Sequence, residues 1–300
     1  MGALDGKVAV ITGAGRGLGR SHALLMAEEG AKIVVNDLGG EWDGTGKATG
    51  PADDVVKEIK DAGGQAVASF DSVTDFQGAK RIIDCAIDNF GKLDILVNNA
   101  GFLRDKMTFN MTEEEWDAVI AVHLKGTFNC GRWACAYFRE QSKAGKLQSG
   151  RIINTMSHAG LLGNVGQGNY ASAKLGIGAL TMVLAREMEK YNVTCNAIVP
   201  MARTRMTVQT PSLSAMFAEK PEGQFDDMAP ENVSPLVAYL ASDHAQNITG
   251  RWLSIRGGKL ESWLPPQLAK SIDIDKRWTV KEITERVGEL GDLSMPSAGI

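Results

Sequence analysis

No stretch of this sequence holds the roughly eighteen consecutive apolar residues that a membrane-crossing helix needs. The opening MGALDGKVAV also lacks the charged segment and long apolar run of a secretory leader. Cysteine is scarce, and Cys85, Cys130, Cys135 and Cys195 form no CxxC pair. Four thiols in a chain this long read as reduced, partly buried side chains rather than as a disulfide framework. A cytoplasmic protein is therefore expected, and the C-terminal SAGI is not a peroxisomal address. Basic excess is missing too. A net charge of −4 and a pI near 5.7 offer nothing to a polyanion, so neither nucleic acid nor membrane is expected as a partner. There is no internal repeat and no low-complexity linker, and no metal is expected.

What is present is an alternation. KVAVITG, KIVVND, AVASFD, LDILVNNAG, GRIINTMS, VTCNAIVP and RWLSIRGG are short apolar runs of strand length bounded by turns. Helical patterns separate them, among them one long helix over TEEEWDAVIAVHLKGTFNCGRWACAYFREQS and another from Tyr170 to about Tyr191. Strands without polar alternation, each followed by a helix, predict an α/β fold: a doubly wound parallel (Rossmann) sheet covered on both faces. Residues 1–260 are expected to form that single domain and 261–300 a short C-terminal extension. One amphipathic helix in TVKEITERVGEL, capped by Thr279, is predicted in the extension. A Gly-rich insertion, GGEWDGTGKATG (39–50), follows the second strand. Its GTGK is no P-loop, because Glu41 stands where the first glycine belongs and Ala48 follows Lys47.

VAVITGAGRGLGR joins the first strand to the first helix through Gly13, Gly15, Arg16, Gly17, Leu18 and Gly19. Glycine permits positive φ and close backbone approach, and the helix N-terminus directs amide donors at a pyrophosphate, so the loop predicts dinucleotide binding. The second strand ends in Asp37, whose carboxylate can accept from both adenosine ribose hydroxyls and repels a 2′-phosphate. Leu38 follows, so no cation compensates there, and only Arg16 favours a phosphorylated cofactor. NAD is the expected cofactor.

Tyr170 and Lys174 stand one helical turn apart in GNYASAKLGIG, and Ser157 follows the strand RIINTMS at the carboxyl end of the sheet. Hydride removal from an alcohol carbon needs a base for the hydroxyl proton. A free phenol titrates near 10. A neighbouring ammonium and a cationic nicotinamide are expected to pull that value toward neutrality.

TGAGRGLG, NNAG and YASAK, in this order, resemble the short-chain dehydrogenase/reductase family over roughly residues 5 to 260. The resemblance implies that Ser157, Tyr170 and Lys174 are catalytic, with Tyr170 and Lys174 also touching the cofactor. It assigns Asp71 and Ser72 to the adenine, and Asn98, Ala100 and Gly101 to the cofactor side of the sheet. In PMART, Pro200 and Thr204 fall in the turn that meets the nicotinamide, although Met201 replaces a glycine. His123 stands where many members carry an asparagine supporting a water relay to the lysine. A relay role and a helix histidine satisfied by a carbonyl both remain open. A homodimer or homotetramer is implied as well.

NDLGG, FLRDKMTFNMTEEEWD, VHLKG and GQGNYASAKLG are similar to one branch of the family. That branch contains the (3R)-hydroxyacyl-CoA dehydrogenase domains of peroxisomal multifunctional enzymes, also described as 17β-hydroxysteroid dehydrogenases, and their bacterial relatives. The resemblance implies oxidation of a 3-hydroxyacyl-CoA. A hydroxysteroid or other secondary-alcohol dehydrogenase without CoA is the second reading, and an NADPH-dependent ketoacyl reductase the third. The segment after Thr204 lies where the family has its substrate lid, and Met206, Met216, Phe217, Phe225 and Met228 suit an apolar, adaptable pocket. Arg104, Lys106, Arg203 and Arg205 are candidate partners for CoA phosphates.

Overall fold

The computed structural model describes residues 2–41, 43–204, 208, 220–221 and 223–294. Arg205, Met206, Met216 and Phe217 of the expected lid and the terminal SAGI lie outside the described residues.

Eight strands form one sheet in the order β3-β2-β1-β4-β5-β6-β7-β8. They are β1 (Val8–Thr12), β2 (Lys32–Asn36), β3 (Gln65–Ser69), β4 (Ile95–Asn98), β5 (Gly150–Thr155), β6 (Val193–Ile198), β7 (Trp252–Arg256) and β8 (Lys259–Trp263). The first seven run parallel, with Val10 paired to both Val34 and Leu96, and β8 returns antiparallel to β7. The chain order reverses between β1 and β4, and that reversal opens a crevice at the strands' carboxyl ends.

Both faces of the central strands are apolar, so both must be covered. One face buries Ile11, Ile33 and Val97 beneath α1 (Gly17–Glu28), α2 (Gly50–Asp61) and a later helix, α8 (Ser234–Ala241). The other buries Val10, Val34 and Leu96 beneath α3 (Phe76–Phe90), α5 (Gly126–Lys143) and α7 (Gly168–Met188). Removing one such core side chain costs about 2–5 kcal/mol.

The expected single long helix is two. α4 (Glu113–Ile120), started by a Thr112–Glu115 capping box, runs into a π-helical turn at Ala121–Lys125 before α5 begins. The wide turn contains His123, whose side chain is bonded to the backbone of Phe102, and the following Gly126 leaves no room for a β-carbon beside Val73. A short α6 (His158–Leu162) follows β5. Among the described residues no helix is long and apolar enough to cross a membrane.

The chain divides into two compact units, the first ending at Trp263 and the second starting at Leu264. The second holds α9 (Val280–Arg286), and Thr279 caps it by accepting from the Glu282 N–H, as its sequence predicts.

Candidate active site

The turn after β1 is shaped by missing side chains. Gly13 has φ +64°, and a β-carbon on it would fall 2.7 Å from Ala100 Cα; one on Gly19 would fall 2.1 Å from the Gly13 carbonyl oxygen. Two residues that the motif reading passes over lock this turn to the end of β4. Thr12 Oγ1 accepts from the Asn99 and Ala100 amides at 3.0 and 3.1 Å. The Asn99 side-chain amide donates to the Thr12 and Gly13 carbonyls at 3.1 and 3.0 Å.

Asp37 faces this turn with both oxygens fixed, Oδ2 accepting from Gly15 N–H at 2.8 Å and Oδ1 from Gly39 N–H at 2.6 Å. Beside it opens a cleft of ≈ 200 Å³, whose walls include Gly13, Arg16, Asp37, Asp71, Ser72 and Gly101. Glycine backbone at the helix start, an immobilised carboxylate and this cleft are the parts that the adenosine end of a dinucleotide requires. Gly17 opens α1 at φ +54°, and a β-carbon there would stand 3.9 Å from the methyl of Thr204, which brings the PMART turn beside the glycine loop. Leu18 packs on the core under α1. Asn98 does not reach the cleft: it is buried, and its amide donates to Asn154 Oδ1 at 2.9 Å. Successive side chains point to opposite faces of a sheet, so Asn98 pairs with its register partner Asn154 on β5 while Asn99 meets the glycine turn.

At the carboxyl end of β5 the other candidates converge. Ser157 caps α6, its Oγ accepting from Ala159 N–H at 3.2 Å. Tyr170 and Lys174 share a face of α7, with the ammonium 5.4 Å from the phenol ring centroid. Lys174 is 3% exposed and donates to the Thr155 carbonyl at 2.7 Å. The imidazole of His123 meets the Tyr170 ring edge to face at 5.1 Å and 89°. Its Nε2 lies 2.8 Å from Phe102 O and 3.1 Å from Phe102 N, while Nδ1 is buried with no partner among the described residues.

Asn169, fully buried, fixes the start of α7. It donates to the Arg104 and Glu115 carbonyls and accepts from Tyr170 N–H. The only sequence signal for it was an amide directly before the tyrosine.

Protonation in this cluster departs from expectation. Burial pushes the Tyr170 phenol up to about 12; the Ser157 hydroxyl bonded to it works the other way, and the Asp105 carboxylate adds to the rise. Burial also brings the Lys174 ammonium down to about 7. Burial, reinforced by the charge of Lys174, holds His123 down at about 3, so its ring is neutral. In the chain by itself the lysine does not draw the phenol toward neutrality. Both charged forms are penalised by the same low-dielectric surroundings.

Known proteins are similar to this chain over most of its length. The short chain dehydrogenase family model matches residues 7–213. The peroxisomal hydratase-dehydrogenase-epimerase of Neurospora crassa is 43% identical over 97% of this chain, which spans 31% of that longer protein. The hydroxyacyl-CoA dehydrogenase ChsB1 of Mycobacterium tuberculosis is 44% identical over 94% of this chain and 87% of its own length. The crystal structure of a short chain dehydrogenase from Mycobacterium avium superposes with TM-score 0.85 at 49% identity, covering 96% of this chain and 95% of that one. With the sheet order, the glycine turn and these matches in agreement, the chain belongs to the short-chain dehydrogenase/reductase family of oxidoreductases, whose members use nicotinamide cofactors.

Proposed function

We propose that the protein oxidises the hydroxyl of a 3-hydroxyacyl-CoA to the 3-keto thioester, with NAD as hydride acceptor and Tyr170 as the acid/base. The observation that carries this reading is the convergence of Ser157, Tyr170 and Lys174 at the end of the sheet beside the glycine-walled cleft.

When bound, the cofactor would supply the hydride acceptor and, in its oxidised form, a positive charge. The chain's residues do the rest. Ser157 and Tyr170 hold the substrate oxygen between two hydroxyls. Tyr170 takes the hydroxyl proton as the carbon gives up its hydride, and returns it in the reverse reaction. Its burial means that the free chain keeps the phenol protonated, so added positive charge is what makes it a base. Lys174 commits one donor to Thr155 and, as the ammonium, has two left for the nicotinamide ribose hydroxyls.

Discrimination for NAD rests on Asp37. Its carboxylate is immobilised by two amides, and a 2′-phosphate beside it meets a repulsion on the order of a few kcal/mol. The acyl-CoA part of the reading draws on the relative named hydroxyacyl-CoA dehydrogenase and on Met228, buried at 5% exposure after the lid segment. Two candidate phosphate partners have other engagements: Arg104 donates to the Asp43 carbonyl and Arg203 pairs with Asp226. Lys106 is exposed and suits the role better. Exposed Phe128 on α5 and Leu175 and Val183 on α7 support assembly with further copies. The four free thiols suit a reducing, cytoplasmic setting.

A substrate panel tests the proposal. 3-Hydroxyacyl-CoAs, free steroid alcohols and simple secondary alcohols are each assayed with NAD and NADP. Turnover of the thioesters with NAD is expected. Activity confined to free steroids, or equal rates with NADP, overturns it.

A further inference from the structure

The Gly-rich segment 39–50 plays no part in the mechanism above, yet Gly40, Glu41, Gly44 and Gly46 form a wall of the adenosine cleft. The segment is closed at its neck. Ala48 N–H donates to the Leu38 carbonyl at 2.9 Å, and Gly39, at φ +69°, packs so tightly that a β-carbon would fall 1.8 Å from Ala48 O. Inside the neck, Glu41 N–H donates to Thr45 O at 2.7 Å and Gly44 N–H to Glu41 O at 3.0 Å.

Among the described residues, Gly40, Asp43 and Gly44 hold this loop to the body of the domain. Arg16 Nη1 donates to the Gly40 carbonyl at 3.2 Å. Gly44, at φ +81°, lies on the ring of Phe102, where a β-carbon would fall 2.8 Å from two ring carbons. Arg104 Nε donates to the Asp43 carbonyl at 3.1 Å, and its guanidinium sits 5.3 Å from the Phe102 ring centroid. Phe102 and Arg104 thus form a shelf on which the loop rests.

The first contact bears on specificity. Arg16 is the glycine-loop cation that can meet a phosphate at the adenosine ribose, and the loop's own carbonyl engages it. Glu41 adds a second carboxylate to the wall that already carries Asp37. An oxygen of a 2′-phosphate entering here finds the guanidinium drawn to the Gly40 carbonyl through one of its five donors, and two carboxylates in the wall. We propose that Gly40, Glu41 and residues 43–47 form a strap over the adenosine ribose which disfavours a 2′-phosphate by holding Arg16 to the Gly40 carbonyl and placing Glu41 in the cleft wall. The inference rests on the NAD reading above and assigns part of that selectivity to the insertion rather than to Asp37 alone.

The test is a binding experiment that needs no turnover. Residues 40–47 are replaced by two glycines, since Leu38 and Ala48 are already hydrogen-bonded. In a second variant, Arg104→Gln, the Asp43 latch and the guanidinium on the Phe102 ring are lost while the loop itself is kept. Calorimetric titration with ADP-ribose and with its 2′-phosphate is run on each variant and on the intact chain.

The intact chain is expected to prefer ADP-ribose by at least about tenfold. Without the strap, ADP-ribose weakens by about tenfold and the preference shrinks by about threefold, Asp37 keeping the remainder, with Arg104→Gln intermediate. If both variants keep the intact affinities and preference, the strap has no such role while the NAD reading stands. If the strapless chain fails to fold, Arg104→Gln decides by the same criterion. An intact chain that binds neither ligand, or prefers the 2′-phosphate, removes the NAD reading and the strap together.

Discussion

Gly101 lies against the imidazole of His123 so closely that a β-carbon on it would fall 2.1 Å from Cε1. The ring is also held at Nε2 by the Phe102 backbone, so it cannot move without losing that bond or its edge contact with Tyr170. Gly101→Ala is therefore expected to lower the melting temperature by several degrees and turnover by at least about tenfold. A thermal melt and a kcat measurement check it. A variant that melts and turns over like the parent shows that the imidazole can yield freely.

Tyr170→Phe removes only the hydroxyl that is proposed to carry the proton. Its ring still packs edge to face with His123, and neither Asp37 nor the glycine turn is touched. Turnover is expected to fall roughly a thousandfold, while ADP-ribose affinity changes by less than about threefold. Activity retained in this variant would place the acid/base elsewhere.

The framework was legible in the sequence because parallel strands buried on both faces leave unbroken apolar runs. VAVIT and ILVN, with glycine or asparagine after them, mark both the sheet and the crevice at the carboxyl ends of its strands. β8 was not legible. KLESW pairs with β7 alone at the sheet edge, leaves Lys259, Leu260 and Ser262 exposed, and lacks the apolar run. The break between α4 and α5 was hidden for another reason: the periodicity continues through AVHLK, and only the tertiary bond from His123 to Phe102 shows what the turn does. Spacing placed the ammonium beside the phenol, but spacing carries no sign of the dielectric around them. Burial sets the direction of both shifts.

Lys174 gives a stability prediction independent of catalysis. Burial depresses its folded value from 10.5 to about 7, so between these values the unfolded chain binds a proton that the folded chain does not. The stability is fully present above the unfolded value and is lost as pH falls through the folded one. Lys174→Met removes that dependence. Relative to the parent, the variant should gain stability as pH is lowered from 10 toward 7, by up to roughly 1 kcal/mol per pH unit. Denaturant unfolding at several pH values measures this, and a difference independent of pH contradicts the assigned burial effect.

Asp105 is the acidic neighbour of the phenol. Its Oδ2 accepts from Gln167 Nε2 at 2.7 Å, and Lys106 N–H donates to Gly166 O at 2.8 Å, which ties its loop to the residues just before Tyr170. Its Oδ1 is buried without a partner among the described residues, and burial raises the carboxyl's own value. Among the described residues the ionisable neighbours of Tyr170 are Lys174, His123 and Asp105, and of these Asp105 raises the phenol. Asp105→Asn keeps the shape and an acceptor for Gln167 but removes the charge. The phenol then gives up its proton more readily, so the acidic limb of the pH profile for alcohol oxidation should move to lower pH, by about half a unit. The alkaline plateau should stay within about twofold of the parent. A limb that stays in place, or one that moves to higher pH, shows that the Asp105 charge does not act on the phenol that carries the proton.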